Sequence, residues 1–495
     1  MFEKLYSIKL PMDAARQNLY IKGDLLDIRD DAVCLKKNQT LDFATYFNLF
    51  SAQKWQTYTS ISDVRIQLHI RGNYKITAYE VSQQQKRELY SEIGHDDYQK
   101  DISLRACQAS FITFAITALE DGVQFFKGAY YGQIEDAHDT NIGIIICTFK
   151  REDYVKRNLK TLQKLMQENP HFHVMVIDNG QTLPEMRNGQ LQVIHNRNYG
   201  GSGGFTRGLM EQVNQGINNY VLMMDDDILI ETSSLERVYA LCRHIKSQYA
   251  QQMIAGSMMS MDEPIIQYEN TAYWGKVRLH SLGQGFDLTT AEDLIRNDQL
   301  PMMKNKYAAW WFCCIPVTIV KKIGYPLPNF IKGDDMEYGI RNHQDIITMN
   351  GIGVWHEAFD KKMSPVVNYY SDRNMLILNE FADGCGRGTV FFSMIARLGR
   401  RILRGDTVGI RIFELAVHDY MSGYEGITSI GADDKMEQVK AYKGRKNISA
   451  SVFFTTIQIL KIFLNYRTLH ERYIQFRDNQ LQSQNFWKEY LKLNK

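Results

Sequence analysis

Short apolar runs that alternate with helical segments most strongly limit the folds open to this chain. The runs are NIGIIICTFKR (141–151), FHVMVIDNG (172–180), LQVIHN (191–196) and YVLMMDDD (220–227). Between the first two, VKRNLKTLQKLMQEN (155–169) has helical spacing. Apolar runs of this length indicate strands buried on both faces. Their alternation with helices over short connections predicts an α/β fold with a doubly wound, Rossmann-like parallel sheet.

Consecutive carboxylates, Asp225, Asp226 and Asp227, follow the last of these runs. Open α/β sheets bind ligands at the carboxyl ends of their strands, which is where this strand is expected to end. Adjacent carboxylates repel one another, and a hard divalent cation removes that repulsion. The triplet therefore predicts a metal site. A solvated turn with helix-capping aspartates is the plain structural alternative.

A glycine-rich segment, Asn198 to Gly208, precedes the aspartate run. Glycines let backbone N–H groups approach an anion, and a following helix adds its positive N-terminal end. The segment matches neither GxGxxG nor GxxxxGK[ST], which weakens the dinucleotide-binding and nucleoside-triphosphatase hypotheses. Together with Arg151, the polar residue that ends the first apolar run, the glycine-rich segment predicts a site for a nucleotide diphosphate. The alternative is a flexible turn.

Later segments supply further candidates for the same site. YAAWWFCCIP (307–316) is predicted to be a strand in which Trp310 and Trp311 face opposite ways, so that one of them lines the site. Asp334 and Asp335 begin a helical pattern, either as dipole-favoured caps or as site carboxylates. His356 follows an apolar strand and is by default a core histidine. It becomes a ligand candidate only because a carboxylate cluster is already present.

The flanking regions have different patterns. Alternating segments such as VRIQLHI (64–70) predict an antiparallel β-sandwich before the α/β region, and long helical segments follow it. Arginines beside apolar residues suit a helix lying on anionic lipid, while a bracing helical bundle fits equally well; they are Arg397, Arg400, Arg401 and Arg404. The predicted domains are residues 1–138, 139–380 and 381–495.

Composition narrows the class of protein. The 495 residues are 44% apolar, as in globular proteins, and the net charge of +2 gives no argument for a nucleic-acid partner. The 7 cysteines show no CxxC spacing, which favours reduced thiols in a cytoplasmic protein. The amino terminus has no secretory pattern. We therefore expect a cytoplasmic protein with peripheral contact at the inner face of the cell membrane.

The ordered motifs CTFKR, DNG, NYGGSGGFTRG, MMDDD, WWF, GDDME and WHE resemble the bacterial galactofuranosyltransferases of glycosyltransferase family 2 over residues 141–380. The resemblance implies a GT-A catalytic domain between a β-sandwich and a helical region. It also implies inverting, metal-dependent transfer of galactofuranose from UDP-galactofuranose. The implied acceptor is a glycan or lipid-linked glycan in cell-surface polysaccharide synthesis.

Matched motif by motif, the resemblance implies a role for individual residues. Asp335 corresponds to the catalytic base. The implied ligands of Mn²⁺ or Mg²⁺ are Asp225, Asp227 and His356. The implied nucleotide-binding residues are Arg151, Asp178, Asn198, Gly200, Gly201, Ser202, Gly203, Arg207 and Asp226. The implied sugar and acceptor residues are Trp274, Trp310, Trp311, Asp334 and Glu269. Met336 departs from the aromatic or aliphatic residue expected beside the base, so the acceptor pocket is expected to differ in shape.

Two other functions stay open. The donor could be another nucleotide sugar, such as dTDP-rhamnose or UDP-galactopyranose. Alternatively, the chain could be a carbohydrate-binding protein with a degenerate transferase domain. The complete set of Asp225, Asp227, Asp335 and His356 argues against such decay. A two-carboxylate hydrolase would need neither a metal nor a glycine-rich loop. The sequence leaves homo-oligomer formation open.

Overall fold

Two antiparallel sheets form the amino-terminal part of the protein. The structure, a computed structural model, describes residues 1–83, 85–105, 107–275, 277–358, 364–442, 447–481 and 483–493. The elements here are β1 (Phe2–Ile8), β2 (Asp27–Arg29), β3 (Ala32–Leu35), β4 (Thr40–Asp42), α1 (Ala52–Tyr58), β5 (Asp63–Arg71), β6 (Asn73–Val81), β7 (Lys86–His95), β8 (Tyr98–Ser103), β9 (Phe111–Ala118) and β10 (Val123–Gln133). One sheet has the order β2-β3-β10-β5-β8, with β1 also paired to β10, and the other has the order β4-β9-β6-β7.

These sheets pack face to face because apolar residues alternate along their strands. In β5 every second residue is buried, beginning with Val64. Aromatic rings cross the interface: the centroid of Phe114 in β9 lies 6.4 Å from that of Tyr130 in β10, and the centroid of Phe43, next to β4, lies 5.2 Å from that of Phe125 in β10. The predicted β-sandwich is confirmed.

The central region alternates strands and helices around one large sheet. Its first half comprises β11 (Ile142–Thr148), α2 (Glu152–Glu168), β12 (Phe172–Asp178), β13 (Met186–Asn188), β14 (Leu191–His195), α3 (Gly200–Gln215), β15 (Tyr220–Asp225), β16 (Leu229–Ile230) and α4 (Thr232–His244). Its second half comprises β17 (Met253–Ala255), β18 (Ser257–Ser260), β19 (Gln267–Glu269), β20 (Thr271–Gly275), β21 (Arg278–Leu282), α5 (Ala291–Asp298), β22 (Lys306–Tyr307), β23 (Phe312–Pro316), α6 (Val317–Ile323), α7 (Asp334–Asn342), β24 (Ile346–Ile347) and β25 (Gly353–His356).

The large sheet is mixed, whereas the sequence pattern predicted parallel strands. Its order is β13-β14-β12-β11-β15-β23-β17-β24. Strands β14, β12, β11 and β15 are mutually parallel, as predicted, but β23 runs antiparallel to both β15 and β17. A crossover helix enforces parallel pairing, and the chain instead reaches β23 through strands of two small sheets, which have the orders β16-β25-β18-β19 and β21-β20-β22. The parallel half still carries the strand ends where ligands bind.

Helix α3 corrects the prediction of a glycine-rich loop, because it begins at Gly200 and contains most of that segment. Its glycines allow close packing on the sheet. A Cβ atom added at Gly204 would lie 2.2 Å from Cys147 Sγ, and one at Gly208 would lie 2.4 Å from Ile145. A Cβ at Gly200 would meet the carbonyl oxygen of Phe330 at 2.1 Å. The absence of side chains thus lets a helix approach where a flexible loop was expected.

We predict that Gly204→Ala destabilises the protein by about 1–3 kcal/mol, because the methyl group overpacks the contact with Cys147. Gly399→Ala is the matched control. This glycine lies in the helix formed by Arg387–Leu403, where a Cβ atom added to it would meet nothing within 4 Å, so alanine should stabilise by about 0.5–1 kcal/mol. Urea unfolding measures both effects. Equal stability changes of the two variants would contradict the packing argument.

Helices follow the central region: α8 (Pro365–Leu378), α9 (Arg387–Leu403), α10 (Thr407–Thr428), α11 (Ala432–Ala441), α12 (Ile448–Leu464), α13 (Tyr466–Gln480) and α14 (Gln484–Tyr490). Among the described residues, none of these helices alone combines the length and apolarity of a membrane span. The α12–α13 pair, bent by 77°, meets those two criteria jointly. The predicted helical carboxyl-terminal region is confirmed.

Candidate active site

The polar ends of neighbouring strands meet at one edge of the large sheet. Thr148 of β11 is in register with Asp178 of β12, and Cys147 of β11 with Asp225 of β15. The segments that leave these strands therefore start side by side. They carry Arg151, Asp178, the start of α3 and the aspartate triplet. Residues that are far apart in sequence thus share one site because their strands are parallel.

A cluster of two carboxylates and an imidazole lies at this edge. Asp225, Asp227 and His356 each offer one ligand atom, and these atoms lie within 4.8 Å of one another. His356 Nε2 is 2.8 Å from Asp227 Oδ1 and 3.8 Å from Asp225 Oδ2. The structure thus brings together the three residues predicted to be metal ligands.

Strand pairing positions His356 in this cluster. The chain leaves the aspartate triplet directly into β16, which pairs antiparallel with β25, the strand that ends in His356. Leu229 lies opposite Trp355, so the residue after Trp355 lies beside the triplet. His356 Nδ1 is 2.6 Å from the carbonyl oxygen of Glu357. An Nδ1–H that donates to this oxygen leaves the Nε2 lone pair directed at the carboxylates.

The donor set fits a divalent cation. Carboxylate oxygens with one imidazole nitrogen suit Mn²⁺ or Mg²⁺. Burial raises the pKa of Asp225 to about 6 against the opposing effect of His356, and the neighbouring charges of Asp227 and Asp226 raise it further. Carboxylates packed this closely are therefore destabilised as anions until a cation neutralises them.

Asp226 faces away from this cluster, towards the loop after β11. Its Oδ2 accepts a hydrogen bond from Thr148 Oγ1 at 2.7 Å, and its Oδ1 accepts one from Arg151 at 3.0 Å. The same Arg151 nitrogen lies 2.6 Å from Asp227 Oδ2. Arg151 therefore places a positive charge between two aspartates at the edge where a diphosphate is predicted.

A second acidic group lies at the start of α7. Burial raises the pKa of Asp335 to about 6 and that of Asp334 to about 8, the latter also because Asp335 is adjacent. Burial raises the pKa of Glu269 to about 7; Ser281 opposes this shift through a hydrogen bond, and the charge of Asp335 adds to it. Asp335 also raises the pKa of Asp225, so this group and the metal-ligand cluster belong to one site.

The start of α3 is bonded to the segment before α7. The backbone N–H of Ser202 donates to the carbonyl oxygen of Phe330 at 3.1 Å, and the N–H of Phe330 donates to Ser202 Oγ at 2.9 Å. Phe330 and Lys332 have φ angles of 72° and 66°, which non-glycine residues rarely adopt. The pairing holds the glycine-containing end of α3 beside Asp334 and Asp335.

Three predicted nucleotide-binding side chains are already engaged within the protein. Asp178 is fully buried and accepts hydrogen bonds from the backbone N–H groups of Gly180, Thr182 and Leu183. Ser202 is bonded to Phe330, and Arg207 pairs with Glu211 at 2.8 Å. Asp178 and Ser202 therefore shape the loops at the site edge instead of presenting their side chains there.

Asn198 lies just before α3, and Gly200, Gly201 and Gly203 lie in its first turn. Asn198 Oδ1 accepts a hydrogen bond from the N–H of Gly200 at 3.1 Å. A Cβ atom at Gly201 would lie 3.8 Å from Asp334 Oδ2, whereas one at Gly203 would lie 2.3 Å from Tyr199. Gly201 thus faces the acidic group at α7, and Gly203 packs against its own turn.

The tryptophans correct the predicted strand geometry. Strand β23 begins at Phe312, so Trp310 and Trp311 precede it, and both side chains are buried. Trp310 packs against Phe205, while Trp311 Nε1 donates to the carbonyl oxygen of Gly256. Trp274 is also buried and donates to Asn379. Trp310 and Trp311 belong to different hydrophobic clusters, so their rings face opposite sides. Their contact with a sugar or acceptor stays a prediction.

Sequence reasoning missed two residues at this edge. Phe149 follows β11, two residues before Arg151, and 43% of its surface is exposed. Its ring therefore offers a flat apolar face at this edge. The sequence signal that could have identified Phe149 is its position directly after an apolar strand. Phe330 carries no comparable signal, because its contact with Ser202 depends on tertiary packing.

Comparison with known proteins gives consistent matches. Residues 138–352 match the family model "Glycosyltransferase like family 2", and residues 23–132 match "Galactofuranosyltransferase 2 N-terminal". Galactofuranosyltransferase GlfT2 of Mycolicibacterium smegmatis is 27% identical over 427 residues, which are 79% of this chain and 65% of that protein. Its counterpart from Mycobacterium tuberculosis is 27% identical over 440 residues, covering 79% and 66%. This chain therefore spans about two thirds of the length of these relatives.

Among solved structures, that of S. aureus TarS 1-349 in complex with UDP is similar with a TM-score of 0.36 and 16% identity, covering 68% of this chain and 91% of that one.

Proposed function

We propose that this chain, in which residues 138–352 match the model of glycosyltransferase-like family 2, is an inverting galactofuranosyltransferase of the GT-A fold. The proposed donor is UDP-galactofuranose, and the proposed acceptor is a hydroxyl of a glycan or lipid-linked glycan. The product would enter a cell-surface polysaccharide. The observation that carries the proposal is the placement of Asp225, Asp227 and His356 in one site with Asp335.

The donor would lie along the carboxyl edge of the parallel strands. Its diphosphate would meet Arg151 and the N-terminal end of α3, whose helix dipole favours an anion. The exposed ring of Phe149 would cover one face of the nucleobase. Asp225, Asp227 and His356 would hold a Mn²⁺ or Mg²⁺ ion, which when bound neutralises the charge of the departing diphosphate.

Asp335 would act as general base on the acceptor. Its carboxylate takes the proton of the acceptor hydroxyl while the oxygen forms a bond to the anomeric carbon. The bond from that carbon to the diphosphate oxygen breaks, and its electron pair leaves with UDP. Attack opposite the leaving group inverts the anomeric centre. One base suffices because the leaving group needs no proton.

The raised pKa of Asp335 matches this role. A base works best when its pKa lies near the working pH, and burial moves the pKa of Asp335 from its ordinary value to about 6. Glu269, with a pKa of about 7, lies near enough to feel the charge of Asp335. It can therefore hold an acceptor hydroxyl by a hydrogen bond in either protonation state.

A donor panel tests the proposal. Purified protein with Mn²⁺ and a short galactoside acceptor should form product from UDP-galactofuranose, and not from UDP-galactopyranose or dTDP-rhamnose. Mass spectrometry detects the product, and NMR reads its anomeric configuration. The same assay with a chelator is the control and should give no product. Transfer from a different donor would overturn the proposed sugar, and binding without turnover of any donor would favour a non-catalytic protein.

A further inference from the structure

Residues 329–333, which lead into α7, have a backbone conformation that other contacts must hold in place. Phe330, Lys332 and Gly333 have φ angles of 72°, 66° and 86°, all in the left-handed region. Glycine adopts such angles at little cost, whereas Phe330 and Lys332 keep them only where the surrounding structure enforces them. Asp335 follows two residues after Gly333, so its position depends on the contacts of this segment. We call residues 329–333 the pre-α7 segment.

Asn374 of α8 binds the backbone of the pre-α7 segment. Its Nδ2 donates to the carbonyl oxygens of Asn329 at 3.0 Å, Ile331 at 2.8 Å and Lys332 at 2.8 Å. Its Oδ1 accepts a hydrogen bond from Arg373 Nε at 2.9 Å, which directs the NH₂ group of the amide towards the segment. The side chain of Asn374 is buried, and through three carbonyl groups it fixes the path of the backbone.

The helical carboxyl-terminal region supports this contact from further helices. Asp372 of α8 pairs with Arg397 of α9 at 3.2 Å and also with Arg401. Both arginines therefore reach inward and brace α9 against α8, which is the bracing role predicted as the alternative to lipid contact. On α10, the hydroxyl of Tyr424 donates to Asn329 Oδ1 at 2.8 Å. The pre-α7 segment is thus held by α8 and α10 together.

The carboxylate of Asp335 is oriented by the first turn of its own helix. Asp335 Oδ1 accepts a hydrogen bond from the N–H of Met336 at 2.8 Å. The carbonyl oxygen of Gly333 accepts one from the N–H of Glu337 at 3.2 Å. These bonds orient the carboxylate within the turn, but they do not place the turn in the site. That placement comes from the pre-α7 segment, which is bonded to Ser202 on one side and to α8 on the other.

We propose that Asn374 is a positioning residue for the transfer reaction. By binding three carbonyl groups of the pre-α7 segment, it fixes the first turn of α7 and thereby the carboxylate of Asp335. The inference rests on the proposed function, in which Asp335 is the general base. Displacing a reacting group by about 1 Å can cost on the order of 100-fold in rate. Asn374 therefore affects the rate through the backbone, without touching the substrates.

Asn374→Ala tests the proposal in the full chain. With Mn²⁺, saturating UDP-galactofuranose and a short galactoside acceptor, turnover should fall by about 100-fold while circular dichroism shows a folded protein. UDP affinity should change far less, because the proposed metal ligands lie on other segments. The pKa that limits turnover at acidic pH should also fall below about 6, because a carboxylate that leaves its buried position loses part of the effect that raises its pKa.

Asn48→Ala is the matched control. Asn48 is also buried, and its Nδ2 donates to the carbonyl oxygens of Lys9 and Tyr20 in the amino-terminal part of the protein. This variant should lose thermal stability as Asn374→Ala does, but it should keep the turnover and the limiting pKa of the parent. Equal turnover of the two variants, per folded molecule, would overturn the proposal.

Tyr424→Phe keeps the proposal testable if Asn374→Ala does not fold. It removes the hydrogen bond to Asn329 and keeps the ring that stacks on Phe476. Turnover should fall by about twofold to tenfold, as expected for one buried hydrogen bond. The control is Tyr130→Phe, which removes a buried hydrogen bond to the carbonyl oxygen of Asn48 and should leave turnover unchanged. Parent-like turnover in Tyr424→Phe, with an unfolded Asn374→Ala, would reduce Asn374 to a structural residue and overturn the proposal.

The positioning role and the proposed function fail in different ways. If the parent protein transfers no galactofuranose, both are overturned. If the parent transfers galactofuranose and Asn374→Ala does so at the same rate and with the same pH dependence, the positioning role alone is overturned.

Discussion

Asp335→Asn should lower the turnover of sugar transfer by about 10²–10⁴-fold, the usual contribution of a general base. Asparagine keeps the shape of the side chain, and its amide oxygen can still accept the hydrogen bond from the N–H of Met336, but it cannot take a proton. UDP affinity in the presence of Mn²⁺ should stay close to that of the parent, because in the proposed mechanism this side chain contacts the acceptor and not the nucleotide. Steady-state turnover and calorimetric UDP titration measure the two quantities.

The pH dependence of turnover in the parent enzyme should reflect the ionisation of Asp335. The pKa of Asp335 is raised to about 6, so the base form predominates only above that value. Turnover should therefore rise about tenfold per pH unit below pH 6 and level off above it. In Asp335→Asn this acidic limb should disappear.

Asp153→Asn is the matched control for Asp335→Asn. Its carboxylate lies on α2 at the same edge of the sheet and is fully exposed. The variant should keep both the turnover and the acidic limb. A large loss of UDP affinity in Asp335→Asn would instead place Asp335 in the metal cluster.

Asp227→Asn should weaken Mn²⁺-dependent UDP binding by at least about 100-fold, beyond the 10–100-fold that altering a neighbour of a metal ligand typically costs. Asp227 lies 2.8 Å from His356 Nε2 and 2.6 Å from Arg151, so it connects the proposed ligands to the proposed diphosphate contact. Calorimetric titration of UDP with Mn²⁺, and again with a chelator, measures the effect.

The chelator titration distinguishes metal ligation from simple loss of charge. Without metal, Asp227→Asn should bind UDP at least as well as the parent, because a carboxylate that repels the diphosphate has been removed and Arg151 is then paired with Asp226 alone of the two aspartates. His356→Gln should lose metal-dependent binding without that gain, because no carboxylate is removed. Asp153→Asn should bind as the parent does under both conditions. Unchanged metal dependence in both Asp227→Asn and His356→Gln would rule out the ligand assignment.

Local sequence patterns were sufficient to predict several parts of the fold. The alternation along β5 and the apolar runs of β11, β12 and β15 each report burial of a strand on one or both faces. These signals depend on neighbouring residues alone, so they are readable before any tertiary contact is known. The polar residues that end the runs, Arg151, Asp178 and Asp225, could be assigned to one sheet edge for the same reason.

Other elements could not be read in this way. Helix α10 is buried on several sides among other helices and also contains glycines, so its sequence shows no simple apolar period. The helical state of the segment from Gly200 depends on Cys147, Ile145 and Phe330, whose positions leave no room for side chains. A run of glycines carries no sign of such neighbours.

The sequence by itself determined which chemical groups stand at the carboxyl ends of the parallel strands, because strand burial and strand ends are local properties of the chain. Only the tertiary structure decided which of those groups meet. His356 reaches Asp227 through the pairing of β16 with β25, and Asp335 faces the same cluster because the segment at Phe330 is bonded to Ser202. Such pairings join segments distant in sequence, and their register depends on the packing of the whole domain.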